Sequence, residues 1–253
     1  MFDDIIKAAK EDSEQPKQAP AEGENASIRI SVIGVGGAGC NCVNRLYQSG
    51  LKSARTVAIN TDGKHLNMTG AHKKVLLGKT ITRGLGAGGD LEVAKKCADV
   101  DRDMLKKDVG ENELVFLCAG LGGGTGSGAS PAIAQIAREQ GAIVVAMVTY
   151  PFALERVRLK KAQKALTDLV KVCDTVVVID NNRLAGYVPN LPVNKAFELA
   201  DSITTRAVTG ISDTIMFPSL INVDYADVKT VMANRGRAVM GSGTGRGESR
   251  ALD

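Results

Sequence analysis

Leu114-Val-Phe-Leu-Cys-Ala119 runs directly into Gly120-Leu-Gly122-Gly123-Gly124-Thr125-Gly126-Ser127-Gly128, and this junction decides how the chain is read. The first six residues are a short uncharged apolar run, as expected of a strand buried on both faces of a parallel sheet. The next nine contain six glycines. An ordinary turn needs one or two, and each further glycine adds backbone entropy that folding must remove. A loop of this kind points to a backbone that something must approach closely. A helix is expected beyond it over Pro131–Gln140, with Pro131 in the first turn, where a missing N–H costs nothing.

The same junction occurs earlier. Ile28–Ile33 reads as a strand and runs into Gly34-Val-Gly36-Gly37-Ala38-Gly39-Cys40-Asn41, followed by a helix over Asn41–Gln48. Gly34, Gly36 and Gly39 match the G-x-G-x-x-G pattern, in which the free N–H groups of a helix start face an anion. A third cluster, Gly84-Leu-Gly86-Ala-Gly88-Gly89-Asp90, precedes a helix over Leu91–Lys107 and reads either as a lid over a phosphate or as a flexible connection with Asp90 as N-cap. A P-loop is absent: five residues before Gly78-Lys79-Thr80 stands Lys73, and Thr80 leads into Ile81-Thr82-Arg83-Gly84 rather than a helix.

Outward from these loops, strand-like and helix-like segments alternate. Further strands are expected over Thr56–Asn60, Ile143–Thr149 and Thr175–Ile179, and a helix over Glu155–Lys171. This is the pattern of an α/β fold with a doubly wound, mostly parallel sheet. After Pro192, apolar residues at three- and four-residue steps from Ala196 to Ile211 predict one long amphipathic helix ending near Gly210. The expected organisation is an acidic tail at 1–27, a nucleotide-binding domain at 28–191, a central helix at 192–212 and the start of a second domain at 213–253. That last part holds a helix at Tyr225–Ala233 and a strand at Arg237–Met240, and the chain reads as cut off within it.

Of the 253 residues, 44% are hydrophobic, 24% charged and 4% aromatic, which excludes a disordered chain and a small disulfide scaffold. So few rings argue against a base-stacking single-strand binder. Residues 1–27 hold seven acids against three lysines, so the remainder of a chain of net charge +4 carries +8. Those basic residues are interleaved with acids, not clustered, and no nucleic-acid partner is expected. Five cysteines without CxxC spacing, beside only two histidines, read as reduced thiols and not as a metal site. Acids at Asp3 and Asp4 do not suit a signal peptide. The longest apolar stretch, Ala142 to Val148, is far too short to insert into a membrane, so a cytoplasmic protein is expected.

The Gly122–Gly128 loop after a buried strand resembles the signature of the tubulin and FtsZ superfamily. The resemblance extends over about 220 residues: Pro151-Phe152 with Glu155, Asp180-Asn-Asn-Arg-Leu184, Ala196-Phe197 and Pro218-Ser-Leu-Ile-Asn222-Val-Asp224-Tyr-Ala-Asp227 are all similar to FtsZ, the prokaryotic division GTPase. Thr149-Tyr-Pro-Phe and Tyr187-Val-Pro-Asn-Leu-Pro192 look most like its archaeal form.

The resemblance implies GTP or GDP as ligand, with Mg²⁺. Gly36, Gly37, Ala38, Gly39, Cys40 and Asn41 would line the diphosphate from one side, and Gly124, Thr125 and Gly126 from the other. Gly86 to Asp90 would lie near the γ-phosphate. Glu155 would hold the ribose, Arg158 the sugar or charged portion, and Asn181, Phe197 and Asp201 would face guanine. The last assignment has its own chemical sense. Phe197 and Asp201 are four apart on one helix face, and guanine offers N1–H and an exocyclic amine to a carboxylate where adenine offers an acceptor. Asn222, Asp224 and Asp227 would act on the attacking water in the pocket of the next subunit. From spacing alone, however, Asp224 is an N-cap and Asp227 a first-turn acid.

The resemblance further implies head-to-tail filaments at a mid-cell division ring. Division proteins and membrane adaptors would bind through regions absent here. For the present chain it implies nucleotide binding with weak or no filament formation. Glu155 to Arg158 is one residue shorter than the common bacterial spacing. Two other readings remain at this point: a nucleotide-binding structural paralogue with little turnover, and an NAD(P)-dependent oxidoreductase using the first glycine loop with Asp62 as its acidic residue.

Overall fold

The structure, a computed structural model, describes residues 28–187, 193–217 and 224–233. Six strands form one sheet: β1 (Ile30–Val35), β2 (Arg55–Asn60), β3 (Lys73–Leu76), β4 (Leu114–Gly120), β5 (Ile143–Tyr150) and β6 (Thr175–Asp180). All neighbours pair in parallel, in the order β3-β2-β1-β4-β5-β6. The α/β doubly wound fold is as the sequence predicts. Its order reverses between β1 and β4, and such a switch point leaves a crevice at the C-terminal ends of the strands.

The helices are α1 (Gly36–Gln48), α2 (Gly63–Met68), α3 (Lys79–Thr82), α4 (Leu91–Val100), α5 (Arg102–Val109), α6 (Gly124–Glu139), α7 (Arg156–Val172), α8 (Asn181–Tyr187), α9 (Val193–Met216) and α10 (Tyr225–Ala233). They cover both faces of the sheet. Alternate strand residues point to two separate cores. Ile33, Val35, Leu117 and Val148 meet α4, α5, α6 and α7, while Val32, Phe116, Cys118 and Met147 meet α1, α9 and α10. Phe116 is fully buried, a placement that contributes about 3 kcal/mol from area alone.

Several boundaries differ from expectation for identifiable reasons. Strand β1 starts at Ile30 and ends at Val35 because helix α1 begins at Gly36, inside the glycine motif, and not at Asn41. Helix α6 likewise begins at Gly124, so Pro131 lies in its interior and not in its first turn. The expected helix over 91–107 breaks at Asp101, whose carboxylate instead accepts from Gly78 N at 2.5 Å. Strand β3, which opens on the consecutive lysines Lys73 and Lys74, has too short an apolar run to be read as a strand. Thr80 stands in a one-turn helix, α3. Helix α9 continues through Met216, past the expected end near Gly210. The tail at 1–27 and the strand expected at Arg237–Met240 lie outside the described residues.

Candidate nucleotide-binding cleft

Strands β1 and β4 end side by side, with Gly34 opposite Cys118 and Val35 opposite Ala119. The two glycine loops therefore leave the sheet at one level, about 5 Å apart. Gly39 is required because a Cβ there would stand 2.2 Å from the Cys118 carbonyl oxygen, so α1 can seat on β4 only with glycine at this point. Gly36 has φ +71°, and a Cβ on it would stand 2.7 Å from Gly126 N, which lets the two loops touch. Hydroxyls of Thr61 and Thr125, 2.7 Å apart and buried, tie the start of α6 to the end of β2.

Helices α1 and α6 thus start next to each other over the switch point. Neither has a side-chain cap, since Val35 and Gly123 occupy their N-cap positions. The first N–H groups of a helix have no partner within it, and the helix dipole adds positive potential there. Together the two starts present unpartnered donors of the kind that suit an anion.

Above them lies a cleft of about 450 Å³, bounded by both loops, by Thr149 and Pro151 at the end of β5, by Glu155 and Arg158 at the start of α7, and by Asn181, Phe197 and Asp201. The Glu155 carboxylate accepts from Phe152 N at 3.0 Å and from Arg158 Nη1 at 2.7 Å. Phe197 packs edge-to-face on Phe152, with ring centroids 5.6 Å apart. The Asn181 side chain is 3% exposed and its Oδ1 has no hydrogen-bond partner. A buried unpaired acceptor costs about 1–3 kcal/mol, so its presence at the cleft wall fits a ligand that donates to it. The Asp201 carboxyl is pushed up to about 6, chiefly by burial and further by Glu198, against the opposing effect of Arg45.

The structure brings Gly37, Ala38, Asn41, Gly124, Thr125, Gly126, Glu155, Arg158, Asn181, Phe197 and Asp201 onto this one cleft. Other expected residues stand elsewhere. Gly36 and Gly39 do not line the cleft and instead permit backbone contacts behind it. Cys40 is buried in the core under α1, its thiol near the Gly34 and Ile59 carbonyls and its pKa raised by burial to about 12. Gly86 does not line the cleft, and Asp90 caps α4 by accepting from Glu92 N and Val93 N. Asp62, the acid that a dinucleotide reading assigns to ribose, caps α2 by accepting from His65 N through Oδ1. Gly120, Leu121, Gly123, Thr149 and Pro151 line the cleft without having been singled out as binding residues. Thr149 and Pro151 stand in motifs that carry the resemblance, but nothing in their residue types marks them as lining a cleft.

Asn222 lies outside the described residues. Asp224 accepts from Asp227 N at 2.9 Å and caps α10, and both acids are exposed. Their helix is fixed at the opposite end of the sheet: Tyr225 OH donates to the Glu113 carbonyl just before β4, and Thr175 Oγ1, at the start of β6, donates to the Met232 carbonyl. The length of β4, about 20 Å, separates this end from the cleft. Among the described residues no three His, Cys, Asp or Glu side chains cluster as a metal site. No helix there is long and apolar enough to cross a membrane.

Residues 29–189 match the family model described as the Tubulin/FtsZ family, GTPase domain. The chain is 52% identical over 220 residues to cell division protein FtsZ 2 of Methanocaldococcus jannaschii, covering 87% of this chain and 58% of that protein. It is 49% identical over 242 residues to FtsZ 2 of Haloferax volcanii, covering 94% of this chain and 60% of that one. The solved structure of an empty FtsZ dimer from M. jannaschii matches with a TM-score of 0.79 at 43% identity, over 91% of this chain and 64% of that chain. The chain thus spans 58% to 60% of the length of these two relatives. A six-stranded parallel sheet in this order, two uncapped helix starts over its switch point and a family match across that whole unit make the chain a member of the tubulin/FtsZ family.

Proposed function

We propose that the cleft binds guanine nucleotide and that chains stacked head to tail hydrolyse GTP to GDP and phosphate. The observation that carries this reading is the polarity of the cleft. One end offers uncapped helix N–H groups from α1 and α6, and the other an unpaired buried acceptor and a carboxylate at Asn181 and Asp201. Phosphates suit the first end. The N1–H and exocyclic amine of guanine suit the second, whereas adenine would leave the Asp201 carboxylate facing an acceptor. Phe197 gives the base an apolar face, and Glu155, fixed by Phe152 N and Arg158, is placed to accept from a ribose hydroxyl.

Hydrolysis needs a group that orients water against the γ-phosphorus and takes its proton as the bond to the bridging oxygen breaks. Asp224 and Asp227, together with Asn222 two positions earlier in the sequence, are the candidates, yet the two aspartates belong to the end of the molecule remote from its own cleft. The two halves of the reaction meet only when the acid-bearing end of one chain covers the cleft of the next. That contact is heterologous and, if it does not close, builds a filament. Exposed Leu85, Leu154 and Val157, near the strand ends that open on the cleft, give that contact apolar surface. Mg²⁺ would neutralise phosphate charge and, with no acidic cluster among the described residues, would be held mainly by phosphates and water. A role in the division ring follows as the use of such a filament.

Complementation tests this reading. Asp224→Ala leaves the cleft intact and Asp201→Ala leaves the acids intact, so each alone should lose turnover. Mixed at a concentration where chains associate, they should regain activity at about a quarter of the contacts, those pairing a sound cleft with sound acids. If the mixture stays as inactive as its parts, the shared-site reading is wrong. Full activity of Asp224→Ala alone would remove its catalytic role.

A further inference from the structure

The third glycine loop plays no part in the cleft lining, yet it is built onto the phosphate end. Gly84, Gly86, Gly88 and Gly89 all have positive φ, and Arg83 does too at 53°. Such a segment has little intrinsic preference for one path. Its first half is fixed by backbone bonds to the end of β2, Gly86 N to the Thr61 carbonyl and Gly63 N to the Gly84 carbonyl. Its second half is held by a side chain 72 residues away: Lys161 Nζ, from α7, donates to the Gly89 carbonyl at 2.5 Å. The turn held in this way abuts Gly124, the first residue of α6, where a Cβ would stand 2.9 Å from Gly89 Cα and 3.0 Å from Asp90 N.

Lys161 also brings charge. Among the described residues it forms no ion pair, whereas Lys164 one turn on is bound to Glu92 at 2.7 Å. Lys160, Lys161 and Lys164, together with the acids Asp90 and Glu92 and the backbone of Gly88 and Gly89, line a depression whose Gly89–Asp90 edge abuts Gly124 of the cleft. An ammonium has three donors, and Gly89 takes one.

We propose that Lys161 is a positioning residue for the terminal phosphate. It fixes the Gly88–Asp90 turn against Gly124 and keeps a positive charge beside the end of the phosphate chain. The proposal rests on the guanine-nucleotide reading of the cleft. Because a diphosphate lacks the terminal group, Lys161 should set the preference for triphosphate over diphosphate and not affinity in general.

The test compares Lys161→Met and Lys161→Arg with the unmodified chain, titrating each with GTPγS and with GDP. Lys161→Met should weaken GTPγS about tenfold and GDP less than twofold, and Lys161→Arg should recover most of the difference. Amide hydrogen exchange at Gly88–Asp90 in nucleotide-free protein should quicken in Lys161→Met and not in Lys161→Arg. Equal weakening of both nucleotides would make the lysine merely structural, and unchanged GTPγS affinity would remove its role; either overturns the proposal. If the unmodified chain binds neither nucleotide, the reading of the cleft itself fails, and the proposal fails with it.

Discussion

Four of the helices that begin near the C-terminal edge of the sheet fall into two kinds. Helices α2 and α4 start on Asp62 and Asp90, whose carboxylates accept from their first N–H groups. Helices α1 and α6 start on Val35 and Gly123, which offer nothing to those donors. A missing cap normally costs about 1 kcal/mol, and here it is missing twice, side by side, over the switch point of the sheet. The N–H groups left free are the ones a phosphate would take, so stability and binding are set against each other at these two positions.

Supplying the missing cap should break the difference most severely. Gly123 has φ −82° and ψ 165°, which any residue adopts, and open space around its Cα. Gly123→Asp should cap α6, keep or raise the melting temperature, and lower affinity for guanine nucleotides by about a thousandfold through repulsion and competition for the same donors. A variant that still binds would mean that the α6 start does not hold phosphate.

The opposite end of the cleft sharpens the comparison by acting on the base alone. Asp201→Asn replaces one acceptor oxygen by a donor and should weaken GTP about fiftyfold while leaving the much weaker ATP binding the same or tighter. Competition titrations against a fluorescent guanine nucleotide would measure both.

Asp201 also predicts a pH dependence. Its carboxyl titrates near 6 in the free protein, and guanine pairs with the ionised form, so binding lowers that pKa. Affinity should be level above about pH 7 and fall as pH drops through 6, approaching tenfold per unit below it. Asp201→Asn should flatten this profile, and a profile left unchanged by the substitution would assign the titration to another group.

Removing a cap from the other kind of helix should have the smallest effect. Asp62→Ala should cost about 1 kcal/mol in denaturant unfolding and leave nucleotide affinity within twofold. A large loss of binding would instead favour the dinucleotide alternative, in which Asp62 contacts ribose.

The sequence carries the fold well where burial dominates. Strands β1, β2, β4 and β5 are apolar runs buried on both faces, and β6, at the sheet edge, keeps an apolar run though only half-buried. It carries β3 poorly, because Lys73 and Lys74 dilute the pattern on an edge strand. Glycine-rich stretches hide helix starts, since low helix propensity masks that α1 and α6 begin inside the motifs. The same residues blur the site. Gly37 and Gly124 border the cleft while Gly39 exists for a packing contact, and the letter is the same for both. Phe197 and Asp201 are legible through the family resemblance, with which their four-residue spacing on one helix face agrees. Lys161 was not, because its partner is a backbone carbonyl 72 residues away.

The most direct test of the central claim is calorimetric titration of nucleotide-stripped chain with GTP and, separately, with ATP and NADH. The account predicts one guanine nucleotide per chain, with ATP at least a hundredfold weaker and NADH without effect. Saturable binding of ATP or NADH with none of GTP would contradict it.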